Sequence, residues 1–513
     1  MRGMPEMRYR DTRGLDDSRP AFTDVVIEGI AKGGGLYVPE TVPSLPLSRV
    51  VELADLPYHS RAARVFRHFG VDVDWEGIVE LMHQAYGRNF DHPAIAPVVE
   101  VRPDTHVLEL WHGPTSAFKD MALQCMPLFF SEAVTLRRLR GGPVEDYLIL
   151  VATSGDTGKA ALAGFAGRAH TRIAVFYPES GVSDIQRLQM VTQEGDNVAV
   201  FGVAGNFDDC QAAVKAAFND TEFAQRLHRE WRLRLSSANS INWGRLLPQV
   251  VYYVSAYADM VSSGGVRPGE TMDVCVPTGN FGNILGAYYA KRLGVPIGRL
   301  LCASNANNVL TDFINTGEYD ISQREFVRTP SPSMDILVSS NLERLLFELT
   351  QDAEAVRGWA QDLAESGRFR VDKDTFRAIR DILAADWVSN DDSLAAIKRV
   401  FDETGYLMDP HTAVGWEVAQ RLRGDAPVLV VSTAHWAKFA PDVYRALSGI
   451  SYGEPLPQGD VPGPRVIEMV QELASDKTVP KGLAGLDRRP VRFTDVVEGD
   501  VEGIESAVLG WLS

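Results

Sequence analysis

Cysteine is scarce. Cys125, Cys210, Cys275 and Cys302 are the four in 513 residues, far apart and without a CxxC. Their spacing indicates neither a disulfide framework nor a thiolate zinc site, and the ten histidines contain no HExxH, so no metal is expected. Positive charge is also short: the net charge is -17 with no Lys/Arg block to offset it locally, which would repel a phosphate backbone and excludes nucleic acid as an expected partner. An anionic small molecule would need a local cationic pocket. No apolar run reaches the ~20 residues that span a bilayer. Residues 1–14, MRGMPEMRYRDTRG, lack an apolar signal core, and Met7 would serve as an alternative start. The expectation is a cytoplasmic protein with no membrane partner.

A 45% hydrophobic content against 23% charged residues supports large buried cores, in a chain too long for one ordinary domain. Residues 1–97 read as a small helical N-terminal domain, from the three- and four-residue apolar spacing of FTDVVIEGIAKG, RAARVFRHFG and WEGIVELMHQAYG, with a short strand-like LYVP after Gly33, Gly34 and Gly35. The grammar then changes to short β-rich runs, each followed by a polar or Gly-rich loop and a helix. VLELW (107–111), YLILVA (147–152), RIAVFY (172–177), NVAVFGV (197–203), MDVCVP (272–277), RLLCAS (299–304) and APVLVVS (426–432) are the strand candidates. Such alternation predicts an α/β protein with parallel sheets covered on both faces. The main body spans 98–470, with a middle subdomain inserted at about 145–235. Residues 341–402 read as a charged helical outer layer, and 471–513 as an extension wrapping the body.

In open parallel sheets, ligands bind beyond the carboxyl ends of the strands. Four loops are predicted to lie there. WHGPTSAFKDMAL, 111–123, places Lys119 where a small-residue loop becomes an apolar helix. A desolvated lysine there has a lowered pKa and a nucleophilic amine, as a Schiff base with an aldehyde cofactor requires; a solvated lysine at a surface helix start is the other reading. PTGNFGNILGAYYAKRLG, 277–294, has Gly279 and Gly282, which let successive N–H groups converge on an anion before a helix N-terminus, or serve packing alone. Its glycines are three apart, so no dinucleotide is implied.

ATSGDTGKAALAG, 152–164, fails as a phosphate-binding P-loop, because Thr153 stands where glycine is needed and Ala160 replaces the metal-binding hydroxyl. Ser154, Asp156 and Thr157 can hold a polar ligand there, and an N-cap with a tight turn explains the same residues equally well. STAHWAKF, 432–439, offers Thr433 to a ring nitrogen and His435 and Lys438 to an anion, with a structural role for His435 as the alternative.

In that order, HGPTSAFKD, ATSGDTG, GNFGN and STAHWAKF resemble the threonine synthase family, pyridoxal-phosphate (PLP) enzymes of the tryptophan-synthase-β fold type, or fold type II. The resemblance continues through RYRDTRG (8–14), GGGLYVPE (33–40), SDIQRLQM (183–190), GNFDDCQAAVK (205–215), NSINWGRLLPQVVYY (239–253), SPSMDILVSSNLERLLFEL (331–349) and DPHTAVG (409–415). It implies PLP carried on Lys119, the cofactor phosphate on Gly279, Asn280, Phe281, Gly282 and Asn283, Thr433 at the pyridine nitrogen and Asp156 near the phenolic oxygen. Substrate contacts would come from Asn239, Ser240, Asn242, Arg245 and His435, with Ser154 and Thr157 near the substrate carboxylate or phosphate. Arg245 is the expected bidentate anion partner, a helix salt bridge being the alternative. Trp436 replaces a proline common in the family and alters the wall beside His435.

The implied reaction is O-phospho-L-homoserine plus water to L-threonine plus phosphate, by γ-elimination and β-addition, the last step of threonine biosynthesis. The enzyme would then be a carbon–oxygen lyase acting on phosphates, a monomer or homodimer. The rivals are a phospho-lyase that stops at elimination and releases 2-oxobutyrate, and a PLP-binding protein without turnover.

Overall fold

The computed structural model describes residues 6–179 and 181–513; residues 1–5, which include the first of the alternative starts, lie outside the described residues, as does residue 180. In chain order the strands are β1 (Tyr9–Asp11), β2 (Tyr37–Pro39), β3 (Val98–Arg102), β4 (Thr105–Glu109), β5 (Asp146–Ala152), β6 (Thr171–Pro178), β7 (Val198–Ala204), β8 (Leu233–Ser236), β9 (Met272–Pro277), β10 (Ile297–Ser304), β11 (Glu318–Asp320), β12 (Arg368–Arg370), β13 (Leu383–Trp387), β14 (Val428–Ser432) and β15 (Val496–Glu498).

Two sheets organise them. The larger has the order β13-β10-β9-β14-β4-β3, parallel throughout except for the half-buried edge strand β3. The smaller has the order β15-β7-β6-β5-β8 and is all parallel. Both faces of β9 and β14 are buried, which is why MDVCVP and VLVVS, apart from Asp273 and the terminal Ser432, are apolar with no polar alternation. The protein is α/β as expected, and each of the seven predicted runs is a strand.

Residues 341–402 depart from the expectation of an outer helical layer. β13 pairs in parallel with β10 there, and the helix Leu342–Thr350 buries Leu342, Arg344, Leu345, Leu346 and Phe347. LAADW carries too little β-propensity to announce a strand; it forms one because β10 presents a free edge to it. The C-terminal segment does more than wrap: β15 extends the smaller sheet beside β7, while Ile504, Val508 and Leu512 of the helix Val501–Leu512 enter its core.

The helix Trp243–Ser263 is the spine of the larger core and is buried along most of its length. Trp243 at its start packs its ring 5.5 Å from Tyr9 and 5.1 Å from Tyr289, so the N-terminal segment closes directly over it. Between the two sheets, the helices Lys119–Leu123 and Asp156–Phe165 cross closely enough to require glycine. A methyl at Gly164 would stand 1.8 Å from the Leu123 carbonyl oxygen, a backbone atom with nowhere to go. Gly164→Ala is therefore expected to cost about 1–3 kcal/mol through overpacking, lowering the thermal midpoint in calorimetry. A midpoint equal to wild type would contradict this contact.

Candidate active site

β4, β14 and β9 are neighbours in the larger sheet, so the loops that leave their carboxyl ends lie side by side. These are the loop before Lys119, the loop that begins at Thr433, and the GNFGN turn before the helix Gly282–Leu293. The first two are stitched together. The Phe118 N–H donates to the Thr433 carbonyl at 2.7 Å, the His435 N–H to the Ser116 carbonyl at 3.1 Å, and Ala117 bridges to Ala434. Ser116 takes a left-handed φ of 61° to make the reversal. Asp120 secures it, accepting from the Thr115 N–H and hydroxyl, both at 2.8 Å. Gly113 is needed here, because a methyl there would lie 2.4 Å from the Asp120 Cβ.

Lys119 is the first residue of its short helix and is buried. Its Nζ donates to Ser333 Oγ at 3.3 Å and lies 3.8 Å from Asp156 Oδ2. Burial lowers its pKa to about 8; the Asp156 carboxylate opposes the change, while Lys438 and Arg245 reinforce it. The desolvated lysine is therefore the observed arrangement, and the solvated alternative is not.

Asp156 opens the helix Asp156–Phe165, and its carboxylate is fully engaged. Gln186 Nε2 donates at 2.8 Å, Ser333 Oγ at 2.9 Å, and Lys438 Nζ lies 3.1 Å away. Burial alone would raise its pKa, but Lys438, Lys119 and the Gln186 hydrogen bond prevail and hold it well below the usual carboxylate range. Lys438 does not face an exogenous anion, as its motif suggested. It is buried, donating to the Thr115 carbonyl at 2.9 Å and pairing with Asp156.

Ser333 sits in the short turn Pro332–Met334 and joins Lys119 to Asp156. Its own N–H donates to His411 Nε2 at 3.1 Å, and His411 Nδ1 is 2.6 Å from Asp409 Oδ2. Ser333, Gln186 and His411 lie within SPSMD, SDIQRLQM and DPHTAVG, stretches whose sequence gives these residues no chemical role. Spacing alone cannot show that these stretches meet Lys119.

The GNFGN turn has the form of an anion cradle. Ser339 Oγ donates to the Gly279 carbonyl at 2.7 Å, and the Asn341 N–H and side-chain amide donate to the Asn280 carbonyl at 3.2 and 3.0 Å. In a trans peptide the following N–H points the opposite way, so the N–H groups of Asn280 and Phe281 face away from that segment. Phe281 adopts φ 63°, and the first N–H groups of the following helix continue the row. A methyl at Gly279 would be 3.0 Å from the Ser333 carbonyl and from Met334 Cα, which places the cradle against the Ser333 turn. The Asn283 side chain points elsewhere, its Oδ1 accepting from Tyr252 and Tyr253.

Arg245 is buried on the spine helix, with Nη1 donating to the Ala238 carbonyl at 2.9 Å and Nε lacking a protein partner. Among the described residues it forms no salt bridge, so the alternative of a helix ion pair fails. Burial pulls its pKa down to about 10. Asn239 and Ser154 are exposed, and Ser240 and Thr157 half-buried. Thr153, not Ser154 or Asp156, caps the ATSGDTG turn by accepting from the Gly155 and Gly158 N–H groups.

Asn242 and His435 make contacts within the protein. Asn242 is buried and committed to structure, its Oδ1 capping the spine helix at the Gly244 N–H and its Nδ2 donating to the Val26 carbonyl. His435 accepts the Ala437 N–H through Nδ1 and packs edge-on against Trp111, with ring centroids 4.7 Å apart. Burial, helped by His112, lowers its pKa to about 3, so it is neutral and brings no charge to an anion. Trp436 is buried beside it.

The family described as "Pyridoxal-phosphate dependent enzyme" matches residues 99–434, "Threonine synthase N terminus" matches 8–86, and "Threonine synthase, C-terminal" matches 412–508. The chain is 44% identical to the human "Threonine synthase-like 1" over 83% of its own length and 58% of that protein's, so it spans about three-fifths of that relative. It is 38% identical to the "Threonine synthase" of Pseudomonas aeruginosa, covering 88% of this chain and 92% of that one. The PLP-bound threonine synthase structure from Brucella melitensis superposes with a TM-score of 0.84 at 37% identity, over 98% of this chain and 99% of the other. With the lysine loop, the glycine cradle and the fold all on one side of the question, the chain belongs to the PLP-dependent threonine synthase family.

Proposed function

We propose that the protein is a threonine synthase, converting O-phospho-L-homoserine and water to L-threonine and phosphate in the cytoplasm. The observation that carries this reading is Arg245: a buried guanidinium with an open donor and, among the described residues, no acidic partner, close enough to Lys119 to lower its pKa. A buried charge left uncompensated is costly, and an anionic substrate supplies the compensation.

The residues suit PLP. Lys119 offers a sheltered amine, the turn from Gly279 to Asn283 a row of N–H groups for the phosphate, and Thr433 a position beside the lysine loop for the ring nitrogen. Asp156 would lie toward the phenolic oxygen, its charge offset by Lys438. When bound, PLP supplies an electron sink that acidifies carbon-bound protons next to the substrate amine.

The chain's own groups do the rest. Arg245 binds the substrate phosphate or carboxylate through charge-assisted hydrogen bonds, with Ser154, Thr157, Asn239 and Ser240 as neutral donors at the rim. Lys119 Nζ removes the Cα proton and gives it up before it removes a Cβ proton, which it delivers to Cγ once phosphate has left; water then adds its hydroxyl to Cβ, its other proton ends on the phosphate, and Lys119 returns a proton to Cα. An amine with pKa near the working pH serves both directions. A second reading, a phospho-lyase releasing 2-oxobutyrate, draws on the 44% identity to "Threonine synthase-like 1".

Incubation with O-phosphohomoserine, assaying phosphate, threonine and 2-oxobutyrate together, separates the two. We expect equal threonine and phosphate, and no turnover by Lys119→Ala. Phosphate with 2-oxobutyrate and no threonine would establish the lyase instead. Arg245→Lys keeps the charge but loses the planar fork, and should raise KM roughly ten- to a hundredfold; an unchanged KM would remove Arg245 from the site. Capture of PLP by the apoenzyme should accelerate as pH rises toward about 8, since only the unprotonated Lys119 amine attacks. A rate independent of pH between about 6.5 and 9 would be inconsistent with that amine.

A further inference from the structure

We propose that Ser333 is a further catalytic residue: its hydroxyl holds the free Lys119 amine in place between Asp156 and the substrate, and the Asp409–His411 pair positions Ser333 through its backbone. This rests on the reading in which Lys119 carries the acid–base chemistry.

Lys119 has four rotatable side-chain bonds, and an amine that must act on two carbons of one substrate cannot wander among them. Ser333 Oγ is the hydrogen-bond acceptor found for Nζ, at 3.3 Å. The hydroxyl is itself oriented, since its proton goes to Asp156 Oδ2 at 2.9 Å, leaving its lone pairs for the amine. Asp156 cannot take over as a free partner for Lys119. One of its oxygens is already shared by Gln186 and Lys438, and the other accepts from Ser333. Remove the hydroxyl, and the amine faces a carboxylate 3.8 Å away, beyond hydrogen-bonding distance.

The serine is placed by a second set of contacts. Its N–H donates to His411 Nε2 at 3.1 Å, which requires that nitrogen to be unprotonated. Asp409 fixes the tautomer from the other side, accepting the Nδ1 proton at 2.6 Å. Asp409 is held in turn as the cap of the helix Pro410–Leu422, where it also accepts from the Thr412 N–H at 3.0 Å and from the Thr412 hydroxyl. Asp409, His411 and Thr412 are buried, and Ser333 is half-buried. The turn is further anchored by Asn305, whose Nδ2 donates to the Ser331 carbonyl at 3.3 Å and to Asp335 Oδ1 at 2.7 Å. A two-residue support that ends on one backbone N–H, beneath a side chain touching the reactive amine, is the arrangement expected of a placed hydroxyl rather than a solvated turn.

The groups facing Lys119 in this account are Asp156, Lys438, Arg245 and Asp120, with His411 beyond Ser333. Losing the serine removes an acceptor that holds the neutral amine but binds the ammonium more strongly, so the Lys119 midpoint should fall. This effect is opposite in sign to what general loosening of the site would give, because added water stabilises the ammonium.

The test uses the full-length protein with two readouts. In PLP capture by the apoenzyme, Ser333→Ala should shift the pH midpoint down by roughly half a unit to one unit. In steady-state turnover of the holoenzyme, kcat should fall roughly ten- to a hundredfold with KM within about twofold. Ser333→Thr, which keeps the hydroxyl, should restore both. His411→Gln should reproduce the kcat loss in weaker form. A Ser333→Ala enzyme with wild-type kcat, or one whose midpoint stays or rises while kcat falls, overturns the proposal. Lys119→Ala separates this from the parent reading. If that variant still captures PLP in the cleft and turns over, both the function and this inference fall; if it does not, while Ser333→Ala behaves as wild type, only the inference falls.

Discussion

The arrangement depends on keeping one amine out of water while denying it a carboxylate of its own. Lys119 has Asp156 within 3.8 Å, and in isolation that pair would hold the lysine protonated. Burial changes the outcome, and Lys438 adds to it. Lys438 sits closer to Asp156, at 3.1 Å, and is completely buried, with Asp120 also within its field. Two lysines thus share one carboxylate, and for the one at the longer distance burial outweighs the carboxylate, lowering the pKa to about 8 with Lys438 and Arg245 reinforcing the change. The carboxylate stays ionised because it serves both.

Holding this balance requires groups from distant parts of the chain to stay fixed to within fractions of an ångström. The parallel sheet does most of it, because β4, β14 and β9 deliver their loops to one edge. The remainder falls to buried side chains that join separate segments. Arg344 is the clearest case. Fully buried, its guanidinium donates to the carbonyls of Tyr37 at 2.9 Å and Ile241 at 2.5 Å, and to Asn341 Oδ1 at 2.5 Å. Asn341 in turn holds the Asn280 carbonyl of the glycine cradle. One cation therefore links the N-terminal strand, the loop before Arg245 and the GNFGN turn, which explains why the N-terminal region packs onto the spine helix instead of standing apart.

Much of this was legible in the sequence, for identifiable reasons. Strands buried on both faces are continuous apolar runs, so β5, β6, β7, β9, β10 and β14 announced themselves, and the small-residue loops after them marked the ligand edge. Lys119 stood out because it interrupts an apolar helix start. Edge strands were not legible: VEVR, LRLS, LAADW and VVE are short, part polar and stabilised by a partner already in place. The contacts of Asn242, His435 and Lys438 within the protein were not legible for a common reason. A polar residue in a small-residue loop reads as facing a ligand, and the sequence does not show that Asn242 and His435 also bond to backbone or that Lys438 pairs with Asp156. Ser333 and His411 escaped because they reach Lys119 only through tertiary contact.

The central claim is that Lys119, and no other lysine, is the reactive amine. Lys159 makes the question sharp, since it too is buried, with a pKa lowered to about 7 by desolvation first and by Lys438 next, yet it donates to Gln193 at 2.5 Å. Reduction of the PLP-loaded protein with borohydride, followed by peptide mass spectrometry, reads the attachment point directly. The account predicts a single phosphopyridoxyl group on Lys119; a group on Lys159 or Lys438, or scattered over surface lysines, would contradict it.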